Sequence, residues 1–184
     1  MKNLVNAMFV ATVLAAIAAC AQGSHNQLTA PSTVVSSQAA ASPSAGARTV
    51  NGSGEVTQMP GVVYRNTIDA RLTEAGETSG SVTTHIIDLS GFGIADGKAT
   101  LVGRITCLAF AEDTVWFGFV LTAASDKAYL DPGVGVGIGK IQKVGGQDYA
   151  FSGPAMFYVP PGTTCADRPA LPMAPVRDGK FTIR

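Results

Sequence analysis

The chain has 184 residues, 14% of them charged, with thirteen basic and thirteen acidic side chains and so no net charge. That length suits one folded domain with appended processing segments rather than two full domains. The basic residues stand singly, without the patch or stripe on which a nucleic-acid partner draws, so nucleic acid is not an expected partner.

Met1 to Asn6 carries one charge, on Lys2, and Ala7 to Ala19 follows as 13 mostly apolar residues interrupted only by Thr12. A bilayer span needs about 20 such residues, whereas this length fits the hydrophobic region of a secretory signal peptide. The segment Ile17-Ala18-Ala19-Cys20 resembles the cleavage region of bacterial lipoprotein signals, in which a branched residue and two small ones precede a cysteine. The resemblance implies that residues 1–19 are removed and that Cys20 receives a diacylglyceryl group on its sulfur. Membrane lipid would then be a partner of the chain and the cell envelope its location. Ala21 stands where an aspartate is associated with inner-membrane retention, which implies the outer membrane in a host that has one. The alternative is an ordinary secretory signal cut after Ala19-Cys20-Ala21, which releases a soluble protein.

Residues 22–54 are small and polar, with no aliphatic or aromatic series to offset the entropy of ordering a backbone. They predict a flexible, disordered tether with a random-coil reach of roughly 30 Å. The expected division is therefore a signal peptide at 1–19, a lipidated cysteine and tether at 20–54, and a β domain at 55–184. Residues before about Val56 are expected to add almost nothing to folding.

From Val62 the hydrophobic period becomes two. Val62, Tyr64, Ile68, Ala70 and Leu72 share one side, with Arg65, Thr67, Asp69 and Arg71 on the other, as in a half-buried strand. A glycine-bearing turn at 73–80 leads to a second strand at Ser81–Ile87, and a glycine-rich loop at 88–98 to a third at Ala99–Phe110. A fourth strand at Thr114–Thr122 lies beyond the short Ala111-Glu112-Asp113 link, which predicts an antiparallel hairpin. Residues 134–141 alternate Val134, Val136 and Ile138 with glycines. The G-x-G-x-G spacing has no following helix and Gly139-Lys140 precedes Ile141, so neither a dinucleotide fingerprint nor a phosphate loop is present. The expected arrangement is a strand whose bare face is closely covered by backbone or an aromatic ring. Later strands are expected at Tyr149–Phe151, Met156–Val159 and Phe181–Arg184. No window from Val62 onward supports an amphipathic helix of three turns. The fold class is all-β, an antiparallel barrel or a two-sheet sandwich of seven to eight short strands.

Export would place Cys107 and Cys165 in an oxidising compartment, where such a pair is expected to form a disulfide, the alternative being a free buried cysteine plus an exposed one. Their link would fasten a proline-rich C-terminal loop to the third strand. The catalytic inventory is thin. His25 lies in the tether, and His85 alternates with Thr84 and Ile86 on the polar face of a strand. No zinc-ligand spacing and no G-x-S-x-G nucleophile elbow occurs, so no catalytic residue, metal or cofactor is expected. Asp113, Asp126 and Asp131 are the carboxylates that would have to converge for a cation or acid-base site.

The stretch Gly103-Arg104-Ile105-Thr106-Cys107-Leu108, followed by Glu112 to Gly118, resembles a pattern in small exported bacterial proteins of uncharacterised activity. These carry a G-x-V-T-C-L strand, a G-N-x-A turn and another glycine-bearing strand, with a cysteine in a proline-rich loop and a Gly-Asn before the last strand. Cys165 and Gly179-Lys180-Phe181 take those last two places here, while Asp113-Thr114 departs from the usual Gly-Asn turn. The resemblance implies an exported β domain with a disulfide. Function is expected to be that of a non-enzymatic envelope lipoprotein whose β domain binds an envelope protein or plays a structural part. The alternatives are a barrel that binds a small apolar ligand, with Trp116, Phe117, Phe119, Phe151 and Phe157 as candidate lining, and a hydrolase with a dispersed acidic site.

Overall fold

The computed structural model describes residues 46–92, 97–131 and 134–184. Eight antiparallel strands follow one another in sequence order and close into a barrel, β8 returning to pair with β1. They are β1 (Arg48–Met59), β2 (Val62–Leu72), β3 (Thr78–Asp88), β4 (Ala99–Ala111), β5 (Thr114–Ala124), β6 (Val136–Val144), β7 (Gln147–Pro154) and β8 (Ala174–Ile183). Of the two all-β arrangements compatible with the periodicity, the barrel is the one adopted. The expected signal peptide, Cys20, His25 and the expected tether as far as residue 45 lie outside the described residues.

β2 shows why the chain closes this way. Its inward positions Val62, Tyr64, Ile68 and Ala70 are buried, while Arg65, Thr67, Asp69 and Arg71 alternate with them on the outside. The same alternation in the other strands builds one interior core that includes Val50, Val56, Val82, Ile105, Phe117, Ile141 and Phe181. Apart from Lys143 and Asp148 at one end, the charged side chains of the strands stand on the outer wall and apolar ones fill the inside. That is the inverse of a membrane-spanning barrel, whose apolar band faces outward.

β4 and β5 form the expected hairpin, with Ala111 opposite Thr114. A bulge between Ile105 and Cys107 lets Ile105 and Leu108 both point inward and puts Cys107 on the outer wall. In β6 the glycine face points inward, where the ring of Phe119 lies over Gly137 and that of Phe117 over Gly139. A Cβ at either position would overlap the ring, so the bare face is the space the aromatics occupy.

Three expected boundaries are corrected. The tether does not run to residue 54: β1 begins at Arg48 and is laddered to β2 on one side and β8 on the other. Val50, within the segment assigned to the tether, is fully buried. Met156–Val159 is not a strand but begins in a 3-10 turn over Ala155–Phe157, since Pro154, Pro160 and Pro161 on either side cannot donate to a ladder. The last strand starts at Ala174, not Phe181.

The outer wall of β5 to β7 is apolar at Trp116, Ile138 and Phe151, and the β7–β8 connection folds back over it. Cys165 of that connection is disulfide-bonded to Cys107 of β4. Leu171 and Met173 complete this second cluster, and the Trp116 Nε1–H donates to the Pro169 carbonyl at 3.0 Å. Lys140 and Arg168 both stack on the Trp116 ring. The connection is therefore an external flap that covers this apolar stretch of wall.

The seam between β7 and β8 is short, with only Tyr149–Pro175 and Ala150–Ala174 in register. Beyond it, side chains take over from the backbone ladder. Asp148, 6% exposed, accepts the Phe181 N–H at 2.7 Å and the Lys143 ammonium at 2.7 Å. Lys143 also donates to the Phe181 carbonyl at 2.6 Å, and Gln147 donates to the Val176 carbonyl at 2.9 Å. This clamp closes the barrel at the end where β1 starts and β8 finishes.

Candidate functional site

The two ends of the barrel differ. At one, strands join through short turns, at Thr73–Glu77, Glu112-Asp113 and Gly145-Gly146, and the Asp148–Lys143 clamp fills the interior. At the other, the β3–β4, β5–β6 and β7–β8 connections are long, and the barrel opens into a cavity of about 460 Å³. Long connections on a rigid scaffold are where binding groups concentrate.

The wall of this cavity is apolar, with Val62 of β2, Leu101 of β4, and Phe119 and Leu121 of β5. Among the described residues that line it, none is charged. Phe157 and Tyr158, just past the end of β7, stand at the mouth, where the Tyr158 ring packs edge-on against Phe151 at 4.6 Å between centroids. Phe157 is 68% exposed and its neighbour Met156 57% exposed, so the rim carries bare apolar surface as well.

A small polar network underlies the cavity. Asn66, 2% exposed, sits in the inward register of β2 among Tyr64 and Ile68. Its Oδ1 accepts from the Thr84 hydroxyl of β3 at 2.8 Å and from the Ser152 hydroxyl of β7 at 3.1 Å. The Tyr64 hydroxyl accepts the Ser152 N–H at 3.3 Å and donates to Gln58 Oε1 at 3.1 Å, and Gln58 Nε2 donates to the Pro172 carbonyl at 3.1 Å. Burial pushes the Tyr64 phenol well above its ordinary range, so it remains a neutral hydrogen-bonding group. Hydrogen bonds of this kind, made in a low-dielectric interior, rigidify it.

Of the five aromatic residues expected as lining, Phe119 and Phe157 reach the cavity, and Phe151, which belongs to the outer-wall cluster, borders its mouth. Phe117 lies in the packed core, and Trp116 is on the outer wall beneath the flap. His85 is exposed on the outside of β3, hydrogen-bonded to Thr100 Oγ1 at 3.1 Å. The three carboxylates do not converge. Asp113 occupies the β4–β5 turn at the closed end, whereas Asp126 and Asp131 flank the 3-10 turn Lys127–Leu130 at the open end. Asp126 is taken up in capping that turn, accepting the Ala128 N–H at 3.0 Å. Among the described residues no group of three or more His, Cys, Asp or Glu side chains is placed to hold a metal ion.

Comparison with known proteins returns no matching family model, no similar curated protein and no similar solved structure.

Proposed function

We propose that this chain is an exported barrel, held to the cell envelope by a lipid on Cys20, that binds a small apolar ligand in the cavity at its open end. The observation that carries the ligand-binding part is the cavity itself. A volume of about 460 Å³ lies within the range of small-molecule sites, and its mostly apolar wall with a few placed polar groups matches their chemistry. A barrel this small needs no such void to be stable, since interiors otherwise pack to crystal-like density. The envelope part rests on the Ile17-Ala18-Ala19-Cys20 sequence and the small polar residues after it.

The neutral fluorophore N-phenyl-1-naphthylamine tests the cavity. Saturable fluorescence enhancement is expected with the wild-type domain and its loss with Leu121→Trp, which fills the cavity from β5. No saturable signal, or an unchanged one in a folded Leu121→Trp variant, defeats the reading. Metabolic labelling with a fatty-acid analogue tests the anchor: the protein should carry the label and Cys20→Ser should not.

The exposed Met156 and Phe157 beside the mouth favour a second reading, in which this rim docks an envelope protein. Met156→Ser with Phe157→Ser separates the two, because it removes a docking surface while leaving the deep part of the cavity intact.

A further inference from the structure

The hydrogen bonds beneath the cavity specify more than its size. A hydroxyl has one proton to donate and two lone pairs that accept. The protons of Thr84 and Ser152 are both directed at Asn66 Oδ1, an oxygen that can only accept. The Tyr64 proton goes to Gln58. The donors of these three hydroxyls are thus committed to the protein, while among the described residues nothing donates to the Thr84 or Ser152 oxygens. Both of these residues line the cavity.

We propose, resting on the ligand-binding reading above, that the cavity takes an uncharged amphiphile whose polar end is a hydrogen-bond donor, seated against the Thr84 and Ser152 hydroxyl oxygens. Three features of the site argue for that class. Among the described residues the lining has no charged side chain, so a carboxylate or an ammonium ion brought to the floor would be buried without a counter-charge. Isolated buried charges are among the most costly groups a protein interior can take. The floor offers lone pairs, so a ligand group that only accepts would meet acceptors and leave its own oxygen unpaired. The volume of about 460 Å³, at roughly 30 Å³ for each water-sized group, suits a molecule of about fifteen non-hydrogen atoms. Long-chain or aromatic alcohols, phenols and primary amides fit these requirements.

The test uses three ligands that share one chain and differ at the end: 1-decanol, decyl methyl ether and decanoate. Each displaces bound N-phenyl-1-naphthylamine from the wild-type domain at pH 8, where decanoate is ionised. Decanol should displace at about tenfold lower concentration than the ether, the worth of one additional hydrogen bond. Decanoate should be weaker than decanol by a factor on the order of a hundred or more, reflecting its buried charge. In Ser152→Ala and Thr84→Val the decanol advantage over the ether should shrink towards unity, with ether binding unchanged. If either variant fails to fold, as read by its far-ultraviolet circular dichroism, the wild-type ligand series decides alone. Ether binding equal to decanol, or decanoate binding as tight as decanol, overturns the donor assignment while leaving the cavity as a ligand site. Failure of the fluorophore itself to bind saturably overturns both readings at once.

Discussion

The clamp between β7 and β8 makes the sharpest stability prediction. Replacing Asp148 with alanine removes the acceptor of the buried Phe181 N–H and the counter-charge of Lys143 together. An orphaned buried backbone donor costs about 1–3 kcal/mol, and breaking one side of a buried ion pair about 3–5 kcal/mol. The lower part of the combined range applies, because the Lys143 side chain is 25% exposed and keeps its bond to the Phe181 carbonyl. We expect a loss of about 3 kcal/mol from Asp148→Ala. For a domain of this size, an unfolding entropy near 2.1 cal/mol/K per residue converts that loss to a fall in Tm of roughly 10 °C. Asp148→Asn keeps an acceptor oxygen for Phe181 and loses only the charge, so it should fall between alanine and wild type. Thermal melts by circular dichroism give the shift, and urea titration should show a lower midpoint at unchanged slope. A Tm for Asp148→Ala within about 3 °C of wild type would refute the idea that side chains replace a backbone ladder at this seam.

Three further predictions follow from elements described above. Replacing Cys107 and Cys165 with serine should lower stability by about 2–4 kcal/mol with strand content unchanged, since the bond closes a long loop over the outside of a barrel that is complete without it; intact-mass alkylation before and after reduction checks the bond. Truncation before Gly46 should leave the melt unchanged, whereas truncation before Gly54 removes half of β1 and should abolish cooperative unfolding or lower Tm by more than about 8 °C. In the flap, the Asp167 carboxyl lies below its usual range because the Thr164 N–H, then the Thr164 hydroxyl, bond to its charged form. A depressed carboxyl contributes stability that is complete above its unfolded value of about 3.9 and is lost as the pH falls through its folded value. Acid titration below about pH 4 should therefore loosen the flap and shift Trp116 emission, and Asp167→Asn should remove that step.

β2 was legible from its letters, because its outward positions are charged or hydroxyl-bearing and its inward ones nearly all apolar. β1 was not, for a physical reason. Two of its inward positions are Gly52 and Gly54, and at Gly54 the space a side chain would fill is already taken by Val176 and Phe181 of β8. With Thr49, Asn51, Ser53 and Glu55 outside, the strand reads as linker. Met156 to Val159 erred in the opposite direction, an apolar run that covers a wall and a mouth rather than joining a sheet. The disulfide was legible from the cysteine count together with the export that the first twenty residues suggest. The cavity floor was not, since Asn66, Thr84 and Ser152 are 18 and 86 residues apart along the chain. Its one visible trace is Asn66 itself, a polar residue in the inward register of an otherwise apolar alternation.

The even strand number has a practical consequence. The Thr49 N–H and carbonyl bond reciprocally to the Arg184 carbonyl and N–H, each at 2.9 Å, so the first and last strands start and finish side by side at the closed end. A leash attached ahead of Arg48 or behind Arg184 pulls on the barrel from its base, and the cavity faces away from the point of attachment. A barrel grafted to a sensor surface through either end presents its mouth to the solution. The same adjacency makes the domain a candidate for circular permutation. A short peptide would join residue 184 to residue 48, and new ends would open at Gly145-Gly146, where both glycines have positive φ and nothing lies within side-chain reach.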